Sequence, residues 1–189
     1  MPVVHAIAAR LRPDAEAELV AAATTAAGDL RAAPGVVASC VGLSSEQLAV
    51  VVWLPDATAL EPFAASPAHM NLVMRGLAPL IEGMWSISIA TDRQPPAEAP
   101  AAIWAFAVPE KAGVFEWQIR RQLEEIDTLP GIAWVGPTVE ERERYRAGGV
   151  VLLSTEEARE FAGGFEGASM SALSLETAMT PALTDSVSP

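Results

Sequence analysis

Cysteine and charged residues are scarce in this chain of 189 residues. Cys40 is the only cysteine, so no disulfide can form within the chain, and we expect a cytoplasmic protein with a buried, unreactive thiol. Only 19% of the residues are charged, which is low for a fully exposed globule. This shortage predicts that apolar surface is buried between subdomains or between chains.

Basic residues are also few, 12 Lys and Arg against 24 Asp and Glu, which gives a formal net charge of -12. An acidic chain repels phosphate backbones and acidic lipid headgroups, so we expect no nucleic acid and no membrane as partner. No segment approaches the roughly 20 apolar residues that a membrane helix needs. Residues 1–10 lack the pattern of a signal peptide, so we expect none.

Several catalytic signatures are missing as well. No glycine-rich phosphate loop follows a predicted strand, and no Cys/His cluster has the spacing of a zinc site. The Gly-x-Ser-x-Gly pattern of a nucleophile elbow does not occur. These absences argue against a hydrolase, a kinase, a nucleotide-dependent dehydrogenase and a metal site.

Internal similarity is the most informative feature of the sequence. Residues 5–8 (HAIA) and 104–107 (WAFA) share an alternation of large and small side chains, which is typical of a strand. Each is followed by a helical stretch that ends at a Pro-Gly pair, 34–35 and 130–131. The chain therefore contains two copies of one unit.

The remaining elements recur in the same order in both copies. The first helix is predicted to begin at Asp14, and its apolar face is Leu19, Ala23, Ala26 and Leu30; the matching face of the second copy is Phe115, Ile119, Leu123 and Ile126. Asp56 and Ser154 are predicted to open the later helices. The later strands are predicted at 36–41, 48–54 and 85–89, and at 132–135, 150–153 and 173–175.

This order predicts an α+β protein of two ferredoxin-like βαββαβ repeats whose antiparallel sheets pack into an intramolecular α/β barrel. A four-stranded sheet with helices on one face leaves an apolar face bare, and the second copy can cover it. We predict a first repeat at 1–92, a proline-rich linker at 93–101, a degenerate second repeat at 102–180 and a flexible tail at 181–189.

The first copy resembles the dimeric α/β-barrel superfamily, in particular its antibiotic-biosynthesis monooxygenase-type and stress-responsive A/B-barrel domains. The resemblance depends on residues 4–7 (VHAI), 34–36 (PGV) and 63–69 (FAASPAH). The second copy has FAGGFEG at 161–167 and lacks the histidine. The superfamily includes cofactor-independent monooxygenases of polycyclic aromatic substrates, haem-degrading enzymes, isomerases and proteins without known activity, so the resemblance implies architecture more strongly than chemistry.

His69 is the candidate catalytic residue. Ser66 as N-cap and Pro67 as the first helical residue place it in the first turn of a helix predicted to reach about residue 82. The positive end of a helix dipole disfavours imidazolium, so the ring should be neutral and able to act as a general base or as a ligand to haem iron. The simpler alternative is an exposed histidine without function.

Five further residues are candidates for substrate binding. Trp53 and Trp85 lie at strand ends, where aromatic walls of a pocket between sheet and helices suit a planar apolar ligand. His5 shares a strand face with apolar neighbours, and Asn71 and Met74 lie on the helix of His69. Packing in the core, or exposure on a polar helix face, explains each of them equally well.

Three functions remain open from the sequence. The first is a cofactor-independent monooxygenase acting on an apolar aromatic substrate, with His69 as base. The second is haem binding or degradation, with His69 as the iron ligand. The third is a non-catalytic, stress-related protein that holds an apolar small molecule. The expected partners are that small molecule and, as an open alternative, a second copy in a homodimer.

Overall fold

The computed structural model describes residues 1–97, 100–109, 116–127, 132–139, 145–157, 176–181 and 183. Its strands form two antiparallel sheets. The first contains β1 (Val3–Leu11), β2 (Ala38–Leu43), β3 (Gln47–Leu54) and β4 (Ile81–Ala90) in the order β2-β3-β1-β4. The second contains β5 (Ala102–Pro109), β6 (Ile132–Pro137), β7 (Tyr145–Leu153) and β8 (Glu176–Pro181) in the order β6-β7-β5-β8. The identical strand order confirms the two ferredoxin-like repeats.

The helices lie between the strands, as the repeat predicts. In the first repeat α1 (Ala17–Gly28) and a 3₁₀ turn (Asp29–Ala32) lie between β1 and β2. A second 3₁₀ turn (Ala57–Ala59), α2 (Leu60–Ala64), α3 (Pro67–Asn71) and a π-helical segment (Leu72–Leu77) lie between β3 and β4. In the second repeat α4 is Glu116–Asp127. None of the helices in the described part of the chain is long and apolar enough to cross a membrane.

Some element boundaries differ from the predicted ones. The first helix begins at Ala17 instead of after Asp14, and Leu19 on its expected inner face is 40% exposed. The helix of His69 ends at Leu77 because β4 already begins at Ile81. The last strand of the second repeat is Glu176–Pro181, whereas the predicted 173–175 lies outside the described residues, as does Phe115.

Several local predictions are confirmed. Gly35 has φ +80°, a conformation that favours glycine, in the turn before β2. Asp56 caps its helical turn by accepting a hydrogen bond from the Thr58 backbone N–H at 2.8 Å. The Ser154 hydroxyl accepts from the Glu157 backbone N–H, and the Glu157 carboxylate accepts from that of Ser154.

The two sheets cover each other's apolar faces. One continuous core combines side chains of both repeats, and Cys40 is buried within it, where burial raises the pKa of its thiol. Its members are Val4, Ala6, Ala38, Cys40, Ala49, Val51, Trp53, Ile87, Ile89, Ile103, Ala105, Ala107, Trp134, Tyr145, Val150 and Leu152. Each buried Val or Ile side chain here contributes about 1.5–3 kcal/mol. The low charge content of the chain is explained by this interface.

Backbone hydrogen bonds join the edges of the two sheets at two places. Next to β6, the Val139 N–H donates to the Ser88 carbonyl of β4 at 2.9 Å, beside a bridge between Ile89 and Thr138. At the other edge the Leu183 N–H donates to the Val41 carbonyl of β2 at 2.9 Å. Backbone hydrogen bonds thus connect the two sheets at both of these edges.

Candidate functional site

The start of α3 fixes the position of His69. The Ser66 hydroxyl accepts a hydrogen bond from the His69 backbone N–H at 3.2 Å, and Pro67 occupies the first helical position, as predicted. Ser66 is itself only 3% exposed. The capping residue therefore belongs to the core, and the first turn of α3 has little freedom to shift.

The His69 ring has a defined tautomer. Its Nδ1 lies 3.0 Å from the Ala64 carbonyl oxygen, and because a carbonyl can only accept, Nδ1 carries the proton. Burial lowers the pKa of His69, although the hydrogen bond to Ala64 acts in the opposite direction. The ring is therefore neutral near pH 7, and Nε2 holds a lone pair. Burial is the main cause of this neutrality, whereas the sequence suggested the helix dipole.

His5 lies on the helix-facing side of β1 and is half-buried. Its Nδ1 is 2.9 Å from the Ser88 hydroxyl oxygen on the neighbouring strand β4. Burial, and to a smaller extent the nearby His69, lower the pKa of His5 to about 4. His5 is therefore neutral at any pH near 7.

Phe63 contacts both histidines. The centroid of its ring is 5.7 Å from that of His5 and 5.0 Å from that of His69, and both contacts are edge to face. Phe63 is 1% exposed and belongs to the core between the helices and the first sheet. The structure thus brings two of the predicted residues together around one phenylalanine; we call His5, Phe63, His69 and Ser88 the histidine cluster.

The predicted positions of the two tryptophans are wrong. Trp53 and Trp85 face the second sheet instead of the helices. Trp53 is 1% exposed and contacts Trp134, whereas Trp85 is half-buried and contacts Tyr145. Neither can line a pocket between the first sheet and its helices, because the sheet separates both from the histidine cluster.

Asn71 and Met74 lie on the outer side of the helical segment. Both are exposed, Met74 by 61%, while Leu72 between them is completely buried. They are available to a ligand only at the protein surface. A role for either in binding stays a prediction.

Ser88 belongs to the cluster although it was not among the predicted site residues. It is completely buried, and its carbonyl also accepts the hydrogen bond from Val139 at the seam. The signal for it was weak, because a serine in an otherwise apolar strand is compatible with packing. Its partner becomes apparent only from the pairing of β1 with β4, in which His5 is opposite Ser88.

The second repeat has no equivalent of His5. Trp104 occupies the corresponding place on β5, and its ring stacks on Phe106 with centroids 4.8 Å apart. The residues of the second repeat that correspond to Phe63 and His69 lie outside the described residues. The Ser–His pair is therefore specific to the first repeat.

Two cavities lined by described residues lie away from the histidine cluster. One of about 280 Å³ lies beside Arg93, Thr91 and Trp134, and the Arg93 guanidinium donates to the Ala133 carbonyl there. The other, of about 200 Å³, lies beneath α4. No group of three or more His, Cys, Asp or Glu side chains suited to a metal ion occurs in the ranges that the structure describes.

Comparison with solved structures finds proteins of the same fold along the whole chain. A crystal structure described as that of an anthrone oxidase-like protein covers 96% of this chain and 91% of its own, with a TM-score of 0.61 and 10% identity. A proposed monooxygenase from Fusobacterium nucleatum covers 96% and 92%, with a TM-score of 0.56 and 12% identity. Another from Lactobacillus acidophilus covers 99% and 98%, with a TM-score of 0.51 and 12% identity.

These similarities confirm the fold, in which two repeats each form a four-stranded antiparallel sheet with the same strand order. Identities of 10–12% show the fold alone. No protein-family model matches the chain, and no curated protein matches its sequence.

Proposed function

We propose that the protein is a cofactor-independent monooxygenase that oxidises an apolar aromatic molecule at a carbon activated by a neighbouring carbonyl or phenol group. The observation that carries this proposal is the fixed tautomer of His69, whose Nδ1–H is held by Ala64 and whose Nε2 lone pair is free to accept a proton. The names of the three similar structures, one anthrone oxidase-like and two proposed monooxygenases, support the same reaction class.

The reaction is balanced without a further reductant. His69 Nε2 removes a proton from an activated methylene, and the resulting carbanion combines with O₂ by transfer of one electron and recombination. The peroxide takes the proton back from His69, and loss of water from the hydroperoxide leaves a carbonyl. One oxygen atom enters the product and the other leaves as water, and all four electrons come from the substrate. The protein therefore has to orient the substrate and move one proton.

The environment of Nε2 suits this role. The Phe63 ring contacts one part of His69, and half-burial leaves part of the His69 side chain exposed. A neutral base surrounded by apolar groups attracts a flat substrate with little charge, and not a charged one. The acidic surface of the chain disfavours anionic substrates in addition.

Oxygen consumption with anthrone and with phenolic substrates tests the proposal. We expect turnover by the wild type, a loss of at least about 100-fold in His69→Ala, and normal turnover in the control Arg75→Ala, an exposed position on the same helical segment. Equal rates for wild type and His69→Ala, or absence of turnover in both, would reject it.

A non-catalytic ligand-binding protein, including a stress-related one, is the second candidate. It is favoured by the absence of histidine from the sequence of the second repeat, because a duplicated scaffold can lose a site while it keeps its packing. Such a protein would change its tryptophan fluorescence with an apolar ligand but consume no oxygen. The homodimer also stays a prediction, and sedimentation at several concentrations would test it.

Haem fits this site poorly. A macrocycle bound to His69 between helices and sheet would need the space that Phe63 and Leu72 fill. No Lys or Arg belongs to the histidine cluster to meet the propionates. We therefore derive no reaction through haem.

A further inference from the structure

The buried hydroxyl of Ser88 determines which nitrogen of His5 carries the proton. Among the described residues, His5 Nδ1 is the one group within hydrogen-bond distance of this hydroxyl. If Nδ1 were protonated and donated to Ser88, the Ser88 O–H would remain buried without an acceptor, which costs about 1–3 kcal/mol. The favoured arrangement has Ser88 donating to an unprotonated Nδ1, and the neutral ring then carries its proton on Nε2.

The two histidines of the cluster thus have opposite tautomers. His69 carries its proton on Nδ1 and presents an accepting Nε2, whereas His5 presents a donating Nε2–H. Both rings contact Phe63, at 5.0 and 5.7 Å between centroids. An acceptor and a donor, both neutral, therefore contact the same apolar ring.

We propose that His5 is a second catalytic residue, which donates a hydrogen bond through Nε2–H to the substrate oxygen, and that Ser88 is the positioning residue that sets its tautomer. The catalytic part of this inference rests on the proposed oxidation. The tautomer of His5 does not depend on activity. When His69 removes a proton from carbon, negative charge develops on the conjugated oxygen. A neutral donor stabilises this charge without giving up its own proton.

His5 and His69 together restrict the substrate to one chemical class. The molecule must present a carbonyl or phenol oxygen to His5 and an acidic C–H to His69. Aromatic ketones with an activated methylene meet these conditions, whereas hydrocarbons without oxygen do not.

The second repeat contributes to this arrangement through the backbone. The Val139 N–H donates to the Ser88 carbonyl at 2.9 Å and ties this position of β4 to the edge of the second sheet. Ser88 is thereby held in register opposite His5. The second repeat thus supports the site of the first.

Nitrogen-15 NMR of the imidazole rings tests the tautomers in the absence of substrate. We expect His5 as the Nε2–H form and His69 as the Nδ1–H form in the wild type. In Ser88→Ala the Nδ1–H form of His5 should increase several-fold, and Ser88→Thr, which keeps the hydroxyl, should restore the wild-type spectrum. A wild-type His5 with its proton on Nδ1, or a spectrum unchanged by Ser88→Ala, would overturn the inference.

Kinetics tests the catalytic part. With an active ketone substrate, His5→Phe should lower kcat roughly 100-fold at similar KM, and Ser88→Ala roughly 10-fold, with recovery in Ser88→Thr. Unchanged kcat in His5→Phe would refute the role of His5. Absence of turnover in the wild-type protein would refute the proposed oxidation instead, whatever the NMR result. Thermal unfolding of each variant would show whether a loss of activity is due to a loss of fold.

Discussion

The indole rings of Trp53 and Trp134, one from each sheet, meet edge to face with centroids 5.2 Å apart. Both residues are 1% exposed, and neither indole N–H has an acceptor among the residues that the structure describes. This pair is part of the core between the sheets, so the association of the two repeats depends on it. The unpaired N–H groups lower its net contribution, because each costs about 1–3 kcal/mol when buried.

Shortening Trp53 should therefore weaken the whole molecule. We expect Trp53→Ala to lower the free energy of unfolding by about 3–5 kcal/mol, because it leaves a cavity between the sheets. Trp53→Phe should cost much less, since it keeps most of the ring and removes the unpaired N–H. Urea denaturation measures both, with Trp117→Ala as control, because Trp117 is 62% exposed. Equal effects at the two alanine positions would contradict the packing of the sheets.

The sequence predicted the repeats and the strands well because alternation is a local property. It also named His5 and His69 as candidates, His5 from its strand pattern and His69 from the family resemblance and its capping motif, and the structure places both beside Phe63. It could not predict which residues of neighbouring strands lie on the same side of the sheet, because alternation shows only that residues two apart within one strand share a face. The register pairs Trp53 with Val4 and Val52 with His5, and this places the tryptophan on the side away from the histidines.

The Ser88–His5 contact could not be predicted from the sequence for the same reason. The two residues are 83 positions apart, and only the pairing of the first and last strands of the repeat brings them together. The π-helical segment Leu72–Leu77 was also beyond prediction, since its residues have the apolar spacing of an ordinary helix. Sequence periodicity thus identified the elements, and tertiary register determined the site.

Gly42 allows the edges of the two sheets to approach at the seam of β2 and β8. A Cβ atom at this position would collide with the Thr180 hydroxyl and lie 3.0 Å from the Pro181 carbonyl oxygen. Gly42→Ala should therefore destabilise the protein by about 1–3 kcal/mol. Gly28→Ala is the matched control, because a Cβ there meets nothing within 4 Å, and in a helix it should stabilise by about 0.5–1 kcal/mol. Thermal unfolding distinguishes the two, and a harmless Gly42→Ala would contradict the close seam.

His5 should make stability depend on pH in a defined range. Its pKa is lowered to about 4 in the folded chain from 6.5, so the unfolded chain binds more protons between these values. The neutral His5 ring therefore makes its whole contribution to the free energy of unfolding above pH 6.5. This contribution falls by up to about 3 kcal/mol as the pH decreases toward 4. His69, the titratable neighbour, acts in the same direction because its pKa is also lowered.

Comparison of the wild type with His5→Phe isolates this contribution, since carboxylates also titrate in part of the range. We expect the loss of stability between pH 6.5 and 4 to be smaller in the variant, as measured by urea denaturation at each pH. Parallel curves for the two proteins would show that His5 is not desolvated in the folded state.

Haem should not bind to His69. Because Phe63 and Leu72 fill the space beside the ring, addition of haemin should leave the Soret band of free haemin unchanged in both wild type and His69→Ala. A Soret shift in the wild type that is lost in His69→Ala would contradict this expectation and favour the haem alternative. A shift common to both proteins would indicate binding away from His69.

Ser66 should affect both stability and activity, because it caps the helix that carries His69. Ser66→Ala removes the acceptor of the His69 backbone N–H and should cost about 1 kcal/mol of unfolding free energy. It should also lower oxygen turnover several-fold, since the His69 ring loses part of its fixed position. Ser66→Asp keeps an acceptor at the N-cap but adds a charge at a buried position, which is costly. Ser66→Thr also keeps the acceptor and adds no charge. If Ser66→Ala lost the expected stability but kept full turnover, His69 would not depend on its cap for catalysis.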